Sequence, residues 1–354
     1  RVLFRSAAKA FLSNGDVYLQ SFGLSSGYYK YSPFALIFFI PFSFLPFIYA
    51  KSIYFLICTS LLAYTIILAK RIWFDLNKEK IKDSVYLLLA VAIIAFSHLF
   101  RDLQIGNINL ILLLLSLLSL IMLLSKKDIY AAGILGIIFL IKPHFLILVP
   151  LLAMRKRWTS LLYILVFLVI GILVPTVLVG LKANMTLHSE WIKAIIAHNA
   201  SFLNSQNTLQ ILLYKLFIRN IFPDAGNLYS LILIVLVALI MFVLVLRNLK
   251  NEKNLQNENF ASYNFSFEFF FSADTEHFLY SIPLILFILI YLFRSQNILL
   301  TIFSIIAFLL YVGTWGDILG KYSYYLEHYG SLGIGNLMII GISLYIYTRN
   351  SNHS

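Results

Sequence analysis

Long uncharged apolar runs are the feature that most constrains the fold of this chain. Ile108–Leu124, Leu161–Gly180 and Leu228–Leu246 contain no charged residue over 17 or more positions. At 1.5 Å per residue, a helical run of that length is about as long as the hydrocarbon core of a bilayer is thick. Only helices and closed barrels satisfy their backbone hydrogen bonds inside lipid, and runs this long and apolar favour helices. With 61% hydrophobic and 12% charged residues, the chain is predicted to be an all-α, multispanning integral membrane protein.

The runs predict about 10 to 11 membrane spans within a single membrane domain, residues 1–354. Two longer polar stretches, residues 1–32 and 181–227, are predicted to be outer loops, and the second contains a candidate interfacial helix around Trp191. An aromatic but more polar stretch, residues 258–274, decides whether the count is ten or eleven. The ten clearer spans are predicted at 33–47, 50–70, 84–100, 107–125, 129–153, 159–180, 228–247, 277–293, 297–313 and 331–348.

The net charge of +12 comes from short clusters of Lys and Arg beside the apolar runs. This is the positive-inside pattern of membrane proteins, so nucleic acid is not needed to explain the charge. Placing the basic loops 155–157 and 247–253 in the cytoplasm puts residues 1–32 and 181–227 outside. The charged loop 70–83 then also falls outside, which is an exception to the rule or a sign of a miscounted span.

Lys142, followed by Pro143 and His144, lies inside an apolar stretch long enough to cross the membrane. An ammonium inside hydrocarbon costs about 2.5–3.5 kcal/mol. Proline breaks the helical hydrogen-bond ladder, which is tolerated where a helix lines a cavity. We therefore expect a broken helix at 142–143 and an ammonium that binds a phosphate. The alternative is a lysine that snorkels from a misplaced span end.

Polar residues at the ends of other spans are the remaining candidates for binding. Asn107 and Asn109 open a span after Gly106, where they can bind an oxygen-rich ligand or cap the helix. Tyr31 stands at the entry to the first predicted span, in an aromatic stretch that also fits an interfacial belt. The other candidates are Asn207 in the outer loop and the pair Glu276 and His277 at a span edge.

Taken in order, these groups resemble the glycosyltransferase family 87 proteins of the GT-C superfamily, which are multispanning mannosyltransferase-like enzymes. The resemblance covers nearly the whole chain, although Asn107 replaces the usual Gln and the histidine-rich element near His277 is reduced. It rests on an entry element with Ala7, Ala8, Ala10, Gly15 and Tyr18, on Tyr31 and Pro33, on Gly106 to Asn109, on Gly133, Gly136, Lys142 and Pro143, on the basic stop Arg155 to Trp158, and on Trp191 followed by Asn207, Thr208 and Leu209.

The resemblance implies a GT-C-like helical bundle and an inverting transfer of a hexose from a polyprenyl-phosphate sugar, with Lys142 near the departing phosphate. Acceptor glycans or glycolipids, the surrounding lipid and a bacterial plasma membrane with the site on its outer face are also implied. In such enzymes the catalytic Asp lies in the first outer loop, which here is expected ahead of Arg1 together with a missing first helix. Asp16 is a candidate only by proximity. No metal site or further cofactor is indicated.

Two other classes of function stay open on the sequence. A transporter or lipid flippase is the main rival, because charges inside membranes often mark transport pathways. It would be expected to show inverted repeats or paired charges in several spans, and the sequence has neither. A non-catalytic scaffold, as a degenerate member of the same superfamily, is the third reading.

Overall fold

The computed structural model describes residues 2–22, 28–77, 84–202, 207–208, 211–212, 215, 275–295, 297–313 and 316–351. Within them the chain is helical and the elements fall into two compact units. One unit comprises Arg1–Thr65 and Asp102–Ser201, and the other comprises Ile66–Arg101 and Phe202–Ser354. The predicted spans 228–247 and 258–274 lie outside the described residues. The prediction of a single domain stays a prediction.

The first unit begins with a short helix and a stretch of proline-broken helices. Ser32 caps α2 by accepting a hydrogen bond from the Ala35 N–H, and Pro33 follows at the first helical position. The elements up to residue 202 are α1 (Val2–Leu12), α2 (Pro33–Ile37), α3 (Ile40–Ser43), α4 (Phe47–Asn77), α5 (Ser84–Ile105), α6 (Asn109–Leu124), α7 (Asp128–Ile141), the 3-10 helix Pro143–Ile147, α8 (Leu148–Met154), α9 (Trp158–Leu173), α10 (Thr176–Val179) and α11 (Leu181–Phe202). The end of α4 after Thr65 and the part of α5 before Asp102 belong to the second unit.

The second unit, as far as it is described, is organised around the close packing of two helices. A Cβ at Gly335 would lie 2.5 Å from the backbone nitrogen of Tyr311, so only glycine allows this approach. His98 contacts the Tyr311 carbonyl at 3.1 Å through its Nε2, on the same side of the unit's core as Phe278. The elements from residue 275 onward are the 3-10 helix Thr275–Ser281, α12 (Ile282–Arg294), α13 (Ile298–Val312), α14 (Gly316–Leu319), α15 (Lys321–His328) and α16 (Ser331–Ser351).

Helices that can cross a membrane confirm the prediction of an all-α, multispanning membrane protein. Among the described residues, four helical segments are long and apolar enough by length and composition, and a fifth is reached if the pair Lys321–His328 and Ser331–Tyr347, bent by 59°, forms one span. Shorter apolar helices lie at Asn109–Leu124, Asp128–Ile141, Pro143–Met154 and Ile298–Val312. The four long segments are Phe47–Ile72, Val85–Ile105, Trp158–Val179 and His277–Arg294.

The structure corrects the prediction of a single span at 33–47. That segment folds as two short helices, α2 and α3, because Pro41 and Pro46 interrupt the helical hydrogen bonding. The chain begins its first long helix only at Phe47. By contrast, the break expected at 142–143 is present: α7 ends at Ile141 and Lys142 has extended backbone angles, φ −133° and ψ 98°.

Candidate functional site

The turn between α5 and α6 positions the centre of the candidate site. Gly106 has a positive φ of 66°, and the N–H groups of Gly106 and Asn107 donate to the carbonyls of Leu103 and Asp102. This is a Schellman ending, which satisfies the last carbonyls of α5 and needs glycine at the left-handed position. The chain therefore reverses at once, and Asn107 enters the protein interior just before α6 begins at Asn109.

Asn107 is a buried hub that joins three segments of the first unit. Its side-chain oxygen Oδ1 accepts from the Tyr31 hydroxyl at 2.8 Å and from the Ile108 N–H at 3.0 Å. Its backbone carbonyl accepts from the Tyr54 hydroxyl at 2.7 Å. Asn107 is only 6% exposed, so these hydrogen bonds form away from water, where leaving a polar group unpaired is costly. The hub fixes the Tyr31 loop against α4 and α6.

Asn109 links a lysine to a buried carboxylate. The Lys142 ammonium donates to Oδ1 of Asn109 at 2.6 Å, and Nδ2 of Asn109 donates to Oδ1 of Asp102 at 3.0 Å. The other carboxylate oxygen of Asp102 accepts from the Leu110 N–H at 3.3 Å, at the positive end of the α6 dipole. Asn109 is fully buried and Asp102 is 2% exposed, whereas Lys142 is only partly buried. We call these three side chains the Lys–Asn–Asp chain.

Close packing of α7 against α9 fixes the position from which Lys142 extends. A Cβ at Gly136 would lie 2.9 Å from the Cβ of Phe167, and one at Gly133 would lie 3.3 Å from the same ring. Small residues allow membrane helices to approach each other in this way. The two glycines of the motif ahead of Lys142 thus allow α7 to pack closely on α9.

Aromatic rings hold the segment that carries Tyr31. Tyr29 is fully buried and packs edge-to-face on Tyr31 with ring centroids 5.8 Å apart, while Phe4 contacts both rings. The Tyr18 hydroxyl donates to the Tyr31 carbonyl at 2.9 Å. Burial, followed by the nearby Glu190 carboxylate, raises the pKa of Tyr18 well above its usual value, so this phenol is held as a neutral donor.

The predicted outer-loop helix is attached to this same segment. Residues 181–202 form α11, and Trp191 donates from Nε1 to the Lys30 carbonyl at 3.1 Å. Ile192 and Ile196 are 54% and 65% exposed and lie one turn apart, so α11 presents apolar side chains away from the unit. An exposed apolar stripe of this kind suits a helix that lies against lipid.

The predicted site residues divide between the two units. Tyr31, Asn107, Asn109 and Lys142 come together in the first unit through the bonds described above. His144 is exposed in the 3-10 helix after Lys142, and Asp16 is exposed in the turn after α1. The other candidates, Asn207, Glu276 and His277, belong to the second unit; Asn207 and His277 are both 8% exposed, and the side chain of Glu276 lies outside the described residues.

Sequence reasoning missed two members of this site, Asp102 and Tyr54. Asp102 stands between two predicted spans, and its place five residues ahead of Asn107 is the spacing that a Schellman turn brings together. Tyr54 lies inside an apolar span and carried no signal beyond its hydroxyl. Asn109 was considered as a helix cap, but the cap position is Ile108, and the Asn109 amide instead connects Lys142 with Asp102.

Comparisons with known proteins identify the family of the chain. No curated protein and no solved structure matches the chain. Residues 29–272, more than half of the chain, match the model of glycosyltransferase family 87, and the matched region contains Tyr31, Asn107, Asn109 and Lys142. The chain therefore belongs to glycosyltransferase family 87 and is a membrane glycosyltransferase.

Proposed function

We propose that this glycosyltransferase moves a hexose, namely mannose, from a polyprenyl-phosphate donor to a glycan or glycolipid acceptor on the outer face of a bacterial plasma membrane. The observation that carries the proposal is the partly buried ammonium of Lys142, which Asn109 and the buried carboxylate of Asp102 hold beside a break in α7. A cation fixed in this way can meet an anionic lipid headgroup that enters from the membrane.

The chemistry of the transfer requires such a cation at the leaving group. An acceptor hydroxyl attacks the anomeric carbon, the bond from that carbon to the phosphate oxygen breaks, and the lipid phosphate leaves with an additional negative charge. Stabilising charge that develops only in the transition state raises the rate. Lys142 supplies a compact positive charge, and because Asn109 already fixes it, little reorganisation is needed during the reaction.

Asp102 takes a positioning role in this proposal and not that of the base. Its two carboxylate oxygens accept from Asn109 and from the Leu110 N–H, and it is 2% exposed, so an acceptor hydroxyl has no approach to it. The exposed His144, two residues after Lys142, is placed to contact the donor headgroup or its sugar. The proton of the acceptor hydroxyl goes to a carboxylate base, for which no residue described here is proposed.

Sugar transfer in membranes tests the proposal directly. Membranes that contain the full chain are supplied with radiolabelled polyprenyl-phosphate mannose, and Lys142→Ala is compared with Lys127→Ala, a change at an exposed lysine at the start of α7. At equal protein abundance we expect the rate to fall at least about tenfold in Lys142→Ala, a loss of about 1.4 kcal/mol, and to stay unchanged in Lys127→Ala. Equal rates in both variants would remove Lys142 from the phosphate role, and transfer only from a nucleotide sugar would overturn the donor class.

A further inference from the structure

A second cationic feature lies away from the Lys–Asn–Asp chain, in a groove between α1, α3 and the start of α4. The groove is open, and the enclosed space at its base is only about 20 Å³, so a ligand would lie along the groove and not inside a closed cavity. We call it the Arg5–Lys51 groove. Its lining consists of Phe4, Arg5, Phe39, Phe42, Phe47, Ala50, Lys51 and Tyr54.

The walls of the groove are aromatic and rigid. Phe4 and Phe39 stack with ring centroids 4.4 Å apart and only 7° between their planes, and Phe42 meets Tyr54 edge-to-face at 5.9 Å. Such pairs hold each other in place beyond the effect of burial alone. Phe4 and Phe39 are only 3% and 4% exposed, so they form the fixed base of the groove, and the half-buried Phe42 and the exposed Phe47 supply the apolar surface for a hydrocarbon chain.

The charged members of the lining are both cations. Arg5 donates from Nε to the Leu45 carbonyl at 2.8 Å, which fixes the guanidinium plane. Lys51 is exposed one turn into α4. Among the described residues of the lining none is acidic, so they are complementary to an anion, and a planar guanidinium beside an ammonium suits a phosphate.

The groove lies beside the N-terminal end of an apolar helix that is long enough to cross a membrane. Phe47 is the first residue of the apolar span Phe47–Ile72, and Phe44 and Ile48 beside it are 74% and 61% exposed. Exposed apolar side chains at the end of a span face the boundary between acyl chains and headgroups. Lipid from the surrounding leaflet can therefore enter the groove without crossing an aqueous gap.

We propose that the Arg5–Lys51 groove binds an anionic glycerophospholipid of the surrounding leaflet, with its phosphate between Arg5 and Lys51 and the start of an acyl chain against the aromatic wall. A lipid-linked sugar fits less well, because sugar hydroxyls need several polar partners. Apart from the two cations, Tyr54 is the one polar side chain among the lining residues that the structure describes, and its hydroxyl already donates to the Asn107 carbonyl. The bound lipid attaches α1 to the end of the span.

Lipid retention measured by native mass spectrometry tests the proposal without any sugar donor, so its failure is separate from failure of the transferase proposal. The full chain is delipidated in detergent and exposed to mixed micelles containing phosphatidylglycerol or phosphatidylcholine. We expect one tightly retained phosphatidylglycerol and at least fivefold less phosphatidylcholine. The single variant Lys51→Gln and the double variant with Arg5→Gln and Lys51→Gln should both reduce this retention at least fivefold. The control Lys9→Gln, at an exposed lysine on α1, should leave it unchanged.

Three results would overturn the proposal. The first is equal retention of both lipids, which would mean that charge is not recognised. The second is unchanged phosphatidylglycerol retention in Lys51→Gln, a substitution at an exposed position where misfolding is not expected. The third is displacement of phosphatidylglycerol by an equimolar amount of undecaprenyl phosphate, which would assign the groove to the donor lipid.

Discussion

Replacing Asp102 by asparagine tests whether the Lys–Asn–Asp chain acts as one unit. The change keeps the shape of the side chain but removes the negative charge that Asn109 transmits to Lys142. It also presents an amide N–H₂ to a site where both neighbours, Nδ2 of Asn109 and the Leu110 N–H, are donors. One buried donor is then left without an acceptor, which costs about 1–3 kcal/mol.

The electrostatic part of the loss follows from the geometry. One amide group separates the two charges, and at about 6 Å with an effective dielectric constant of about 20 they attract by about 3 kcal/mol. Breaking a fully buried charge pair by removing one partner costs about 3–5 kcal/mol, and because Lys142 is only partly buried the loss here lies at the lower end of that range. We therefore expect Asp102→Asn to lower the free energy of unfolding by about that amount, and Lys142→Met to lower it as well because a buried carboxylate loses its counter-charge.

The decisive quantity is the coupling between the two substitutions. Unfolding in mixed micelles with increasing dodecyl sulfate, followed by tryptophan fluorescence, gives the free energies for both single variants and for the double variant. We expect the double variant to lose at least about 1 kcal/mol less than the sum of the single losses. The matched control pairs Lys142→Met with Asp128→Asn, whose carboxylate instead binds Arg157 and Ser160, and these losses should add. If the losses for Asp102→Asn and Lys142→Met also added within about 0.5 kcal/mol, the idea that the Lys–Asn–Asp chain acts as one unit would be refuted.

Two further predictions concern helix packing and alkaline pH. Gly136→Ala should lower the free energy of unfolding by about 1–3 kcal/mol, because the new methyl group meets the Cβ of Phe167. The control Gly341→Ala, where the added Cβ would have nothing within 4 Å, should be neutral or stabilising. Equal effects of the two substitutions in micelle unfolding would contradict the close approach of α7 and α9. Since the folded pKa of Tyr18 is raised by burial and by Glu190, the stability that it contributes is complete below the unfolded pKa of about 10 and is lost as the pH rises through the folded pKa. Above about pH 10 the free energy of unfolding of the unsubstituted protein should fall with pH, and Tyr18→Phe should make this fall less steep by about 1.4 kcal/mol per pH unit. An unchanged slope would show that Tyr18 does not titrate there.

The helical, multispanning architecture follows directly from the sequence, because burial in lipid selects uncharged runs of a fixed length. The break after Ile141 was also predictable, since Pro143 cannot donate the hydrogen bond that a continuing helix requires. The segment 33–47 shows the limit of the same reasoning. Its composition is apolar enough for a span, but Pro41 and Pro46 divide it into helices too short to cross a bilayer.

The candidate site was only partly predictable, and the reason is its dependence on tertiary contacts. Single polar residues in apolar surroundings identified Tyr31, Asn107, Asn109 and Lys142, because an unpaired polar group there is costly. Which residues they bind could not be predicted in the same way. The bond from Lys142 to Asn109 joins residues 33 positions apart, and that from Tyr31 to Asn107 joins residues 76 apart, so no local pattern encodes them.

The pairing of Lys142 also explains why stability alone is an insufficient reason for this lysine. An ammonium in hydrocarbon costs about 2.5–3.5 kcal/mol, and the attraction of Asp102 through Asn109 offsets only part of the total cost, because burying that carboxylate is itself unfavourable. Apolar residues of similar volume would do as well or better, as replacements of buried ion pairs do elsewhere. What they would not provide is a positive charge that is fixed by its neighbours and still partly accessible at a helix break. That combination is useful for holding an anion, and it is the property on which the proposed phosphate role of Lys142 depends.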